Sequence, residues 1–171
     1  MSTLSYEGVT VELPPGWDGA IRRMPIPARD LSVGAEAETG ESHVVVHAAN
    51  FPLPPERGDF GSGAVEIMRS QHLLMVIFDY GPDAAGTALF RYEGIPVPLD
   101  PETFDPNMMQ RPLPLQSGLQ RFFTVNGRGY CLYVALGSHR NRHALVEQAN
   151  EVLRTLDLDG NPVDRGVPTP P

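Results

Sequence analysis

LQRFFTVNGRGYCLYVAL, residues 119–136, is the stretch that decides how this chain folds. Two apolar runs, 119–125 and 128–136, flank Asn126-Gly127. That dipeptide favours a type I′ turn, because both residues tolerate positive φ. The stretch therefore predicts an antiparallel hairpin. After Gly137-Ser138, residues 139–155 read as an amphipathic helix. Leu145, Val146, Ala149, Val152, Leu153 and Leu156 form its apolar stripe, and Ser138 stands as its N-cap.

Working back towards the start, HLLMVIFDY (72–80) and HVVVHAANF (43–51) are dense apolar runs. Runs of that kind suit strands covered on both faces. Each ends in a breaker, Gly81-Pro82 in one case and Pro52-Leu53-Pro54-Pro55 in the other. Val9, Val11 and Leu13 alternate with Thr10 and Glu12, which predicts a strand over 8–13 with one wet face. Pro14-Pro15-Gly16 turns the chain, and a second strand over 19–23 would complete a hairpin. Residues 28–40 read as a loop, 61–68 as a short helix capped by Ser62, and 88–92 as a weak strand. Six prolines between 96 and 114 forbid long regular structure there. The sum is an α+β chain: a mostly antiparallel sheet of about six strands, covered by a long C-terminal helix and one shorter helix. Residues 1–160 make one domain, and 161–171 (NPVDRGVPTPP) are expected to be a disordered Pro-rich tail.

Composition sets the class. Hydrophobic residues are 41% and charged residues 20% of the 171, a globular balance. The opening MSTLSYEGVTVE has no basic start, and no segment approaches the ~20 apolar residues of a membrane span. The expectation is a cytoplasmic protein with no membrane partner. Cys131 is the single cysteine, which excludes an intrachain disulfide and a multi-Cys zinc site. A net charge of −8 argues against nucleic acid. All thirteen basic residues are arginine, which fits coding bias in a GC-rich bacterial genome. The charge is polarised: sixteen of the 21 acidic residues precede position 106, and none lies between 106 and 146.

The short strand over 9–13 running into Pro14-Pro15-Gly16-Trp17 resembles the opening of Mog1/PsbP-like domains. So does the ending, where a hairpin over 119–136 feeds a helix and an apolar segment reaching 158. The resemblance covers the two ends of the chain, about 60 residues, and implies binding to another protein more than catalysis. It carries over no functional residue.

Motifs for catalysis are missing. There is no G-x-S-x-G elbow, no phosphate loop and no G-x-G-x-x-G, so no cofactor is expected. Cys131 lies mid-strand, where a free thiol behaves as a small apolar residue. Arg128, three residues away, falls on the opposite face. His139 and His143 are spaced like metal ligands but find no third ligand near them, so no metal is expected. His43 and His47 share a strand face about 13 Å apart, too far for one ion. Asp59, Glu66 and Asp79 are not brought together by any spacing.

Two functional readings remain. The first is a non-enzymatic protein-interaction or adaptor domain, with Phe104, Met108, Met109 and Leu113 on the Pro-rich loop 96–116 as the partner-binding residues. The second is a small anionic-ligand-binding protein or enzyme. Its site would use Arg121, Arg128, His139, Arg140, Arg142 and His143 around the last hairpin and the helix start. Self-association through a sheet edge is a third possibility.

Overall fold

A computed structural model describes residues 1–25, 42–58, 60–109 and 111–159. The expected loop 28–40 and tail 161–171 lie outside these residues, as does Asp59. The strands are β1 (Ser2–Tyr6), β2 (Val9–Leu13), β3 (Asp18–Pro25), β4 (Ser42–Ala49), β5 (Leu73–Gly81), β6 (Ser117–Val125), β7 (Arg128–Leu136) and β8 (Asp157–Leu158). The helix α1 spans Arg142–Leu153. Every pair of strands is antiparallel, in a five-stranded sheet of order β3-β4-β5-β7-β6 and a three-stranded sheet of order β1-β2-β8. The class is α+β.

The three central strands of the large sheet are buried on both faces, which is why β4, β5 and β7 read as continuous apolar runs. Alternate residues along each strand enter different cores. Val46, Met75, Leu132 and Val134 face α1 and the small sheet, where Val146, Ala149, Val11 and Leu158 meet them. Val45, Val76, Tyr133 and Cys131 face the other way, under Phe51, Val65 and Met109. Each fully buried Leu or Val contributes about 1.5–3 kcal/mol, so the two cores supply most of the driving force.

The β6–β7 hairpin forms as its sequence predicts, with Val125 opposite Arg128 and φ of 48° at Asn126 and 76° at Gly127. Asn126 Nδ2 also donates to the Leu158 carbonyl at 2.8 Å, tying the turn to β8. Beyond β7, Gly137 permits a close crossing. A Cβ there would stand 1.8 Å from the Arg69 carbonyl oxygen.

Several expectations are corrected. Among the described residues there are eight strands, not about six, and they form two sheets. β2 and β3 make no hairpin: β2 sits between β1 and β8, while β3 pairs with β4. β1 reaches β2 through Glu7-Gly8, with φ of 46° and 80°. Glutamate is a poor predictor of that conformation, so the turn is unmarked in the sequence. Residues 88–92 hold a 3-10 turn at Ala88–Phe90 instead of a strand. The shorter helix reduces to one 3-10 turn, Val65–Ile67. A 3-10 turn also takes His139–Asn141, so α1 has twelve residues and no side-chain bond from Ser138. No helix among the described residues is long and apolar enough to cross a membrane.

Candidate functional site

The segment 92–105 is pinned at both ends to the outer edge of β6 and bows away between. At one end Thr124 N–H donates to the Tyr92 carbonyl (2.7 Å) and Gly94 N–H to the Thr124 carbonyl (2.9 Å). At the other, Asp105 and Gly118 exchange both backbone bonds at 3.0 Å. The sequence explains the bow. Pro96, Pro98 and Pro101 have no N–H to give to a ladder, so this stretch cannot zip onto β6. Its middle is held from behind by α1. Leu99 N–H donates to Asn150 Oδ1 (2.7 Å), and Asn150 Nδ2 donates back to the Leu99 carbonyl (3.2 Å).

The gap left between loop and strand is a cleft of about 250 Å³, lined by Tyr92, Pro96, Pro98, Leu99, Asp100, Thr103, Leu119, Arg121 and Phe122. Most of its wall is apolar. The polar groups of the loop wall turn to their own backbone: Asp100 Oδ1 accepts the Glu102 N–H, and Thr103 Oγ1 donates to the Asp100 carbonyl. Arg121 comes from the strand wall. Its Nη1 donates to the Gln120 carbonyl at 3.0 Å, and among the described residues no carboxylate pairs with it.

The other cations of the predicted cluster are dispersed or neutralised. Arg128 grips Asp79 through Nε and Nη2, at 3.0 to 3.3 Å, beside the hairpin turn. It lies at the opposite end of β7 from Leu136, roughly 26 Å away at strand rise. Arg142 binds Glu102 with Nη2, at 3.2 and 3.3 Å, and donates from Nη1 to the His139 carbonyl. His143 Nε2 is 2.9 Å from the same carboxylate. Glu102 is therefore the anion that the helix start attracts, and it comes from a loop whose acidic residues end at Asp105, just before the acid-free stretch. His139 Nδ1 and Arg142 Nε are buried without a hydrogen-bond partner among the described residues. Arg140 is exposed.

Of the four proposed partner-binding residues, Phe104 and Met109 belong to the core and Leu113 packs against it. Tyr133 Oη lies 3.6 Å from Met109 Sδ. Only Met108 is exposed, while Leu115, which sequence reading passed over, is 82% exposed at φ 69°.

The titratable candidates elsewhere serve the fold. His47 is fully buried and its Nδ1 accepts the Arg57 Nε–H at 3.2 Å, while His43 stacks at a tilt on Phe78. Glu66 accepts the Gly63 N–H, and Asp79 is paired with Arg128. Burial pushes the Cys131 thiol up to about 11 and the Tyr130 phenol to about 12, the latter with the Asp79 charge adding. No group of three or more His, Cys, Asp or Glu among the described residues is arranged to hold a metal ion.

Sequence reading missed Tyr92, Leu99, Thr103, Phe122 and Asn150. Asn150 did leave a signal: Val146, Ala149, Asn150 and Leu153 share one helical face, and a polar residue in an apolar stripe needs a buried partner. Compared with family models, with curated proteins and with solved structures, the chain matches none.

Proposed function

We propose that this chain is a non-enzymatic binding domain whose site is the cleft between β6 and the loop 92–104. The group it takes is a carboxylate borne on an apolar or aromatic body. The observation that carries this reading is Arg121: it lines the cleft, and it does so without a carboxylate partner among the described residues. A guanidinium presents a planar fork that matches a carboxylate bidentately. The proline and aromatic walls lower the local dielectric and strengthen that attraction. The likeness to Mog1/PsbP-like domains points the same way, towards binding. A helix-start anion site is not favoured, because Glu102 already engages Arg142 and His143.

Benzoate and phenylacetate are the probes, with inorganic phosphate beside them, read by thermal shift. A ligand at 100 times its Kd adds about 2.7 kcal/mol of stability. The aromatic carboxylates are expected to raise Tm in the native protein, Arg121→Lys to bind them more weakly and Arg121→Gln not to respond. The reading fails if neither carboxylate shifts Tm, or if the shift survives Arg121→Gln.

A further inference from the structure

The edge of β6 beside the cleft carries unused backbone groups. In the β6–β7 ladder, Val125 and Arg128 close a two-residue turn, so the odd residues of β6 bond to β7. The even residues turn their N–H and C=O to the outer edge, as the bonds of Gly118 and Thr124 to the loop demonstrate. Gln120 and Phe122 lie between those two pins and face the same way. Among the described residues, the contact on this stretch of edge is the Arg121 Nη1 bond to the Gln120 carbonyl. The Gln120 N–H, the Phe122 N–H and the Phe122 carbonyl are left open beside a guanidinium. Open strand-edge groups of this kind accept an added strand.

Resting on the reading of the cleft as a carboxylate site, we infer that it takes the C-terminal end of an extended peptide, added as a short strand to β6. The α-carboxylate lies on Arg121, the final amides bond to Gln120 and Phe122, and the last side chain lies among Pro96, Pro98 and Tyr92. Geometry favours a chain end over a strand running through. Gly118 and Thr124 are six residues apart, about 20 Å, and both are occupied by the loop, so a through-running strand would have to break one pin. The open groups span only about 7 Å, from Gln120 to Phe122. A cleft of about 250 Å³ suits a terminal residue or two. Charge selects the end: a C-terminus brings the carboxylate that the cation lacks, whereas an N-terminus brings a second cation.

The test uses a pool of N-acetylated tetrapeptides with randomised sequence and free C-terminal carboxylates, the same pool C-terminally amidated, and benzoate alone. Amide shifts of the full chain are followed by NMR. The free-acid pool should move the Gln120 and Phe122 amides. Amidation should weaken binding at least tenfold, and Arg121→Gln should do the same in a protein whose unfolding midpoint confirms that it is folded. N-methylation of the final peptide amide should also cost at least tenfold, through the lost edge bond. If benzoate binds but the free-acid pool leaves both amides unmoved, or the amidated pool binds equally well, the inference is overturned while the carboxylate cleft stands. If benzoate and the peptides all fail, both are overturned.

Discussion

Asn150→Ala tests whether the cleft wall is built from α1. The Asn150 amide is buried at 3% exposure and makes two bonds to Leu99, itself 7% exposed: Leu99 N–H to Oδ1 at 2.7 Å and Nδ2 to the Leu99 carbonyl at 3.2 Å. Alanine removes both partners and leaves a backbone donor and a backbone acceptor inside the protein. An abandoned buried polar group costs about 1–3 kcal/mol, so the pair should cost roughly 2–6 kcal/mol. Set against a total stability on the order of 5–15 kcal/mol, that is a large fraction. At about 2–4 °C per kcal/mol for a chain of this size, a 3 kcal/mol loss lowers Tm by roughly 6–12 °C. Urea unfolding followed by circular dichroism should show a lower midpoint with an unchanged slope, the signature of lost stability without a changed denatured state. Because Leu99 and its neighbours form the loop wall, the variant should also bind benzoate more weakly in conditions where it remains folded. A loss below about 1 kcal/mol, or weakened stability with benzoate affinity intact, would refute the claim that this amide holds the wall in place.

Two further outcomes follow from groups away from the cleft. His72 is held below its usual pKa, first by burial and then by the Arg69 charge, and its Nδ1 accepts the Arg69 N–H, which needs a neutral ring. The unfolded chain therefore binds this proton more readily, so the contribution is full above about pH 6.5 and is lost as pH falls through the lowered folded value. Urea midpoints measured across this range should fall with acidity, and His72→Gln should flatten that part of the curve. Cys131, buried and with its thiol raised to about 11, should not react with an aromatic disulfide reagent at mildly alkaline pH until denaturant is added. Rapid labelling of the folded protein would contradict its place in the core.

How far the sequence could be read depended on whether the governing contact was local. Asn126-Gly127 specifies its own turn, and a two-residue turn sets the register of β6 against β7, so the hairpin was legible, although β6 begins at Ser117, two residues before the expected run. The stripe on α1 was legible for the same reason, although its first turn tightened into a 3-10 turn at His139–Asn141. Residues 8–13 were legible as a strand, but their partner was not. Glu7-Gly8 has no turn signature, and β8 lies some 150 positions away, joined to β2 by the pairing of Val9 with Leu158. The cluster of arginines failed for a related reason: sequence proximity placed Arg128 with Arg142, whereas a nine-residue extended strand separates them.

By itself the sequence determined the antiparallel class, the closing hairpin and helix, the dense strands buried on both faces, and the irregularity of 96–114. Proline fixes φ and removes a donor wherever it stands, and periodicity records which side of an element is dry. Only the tertiary structure decided that Glu102 would neutralise the helix start, that Asn150 would hold Leu99, and that Arg121 would be left facing a cleft. Those outcomes depend on which distant segment packs against which edge, and in this chain the contacts that decide them join residues 13 to 51 positions apart.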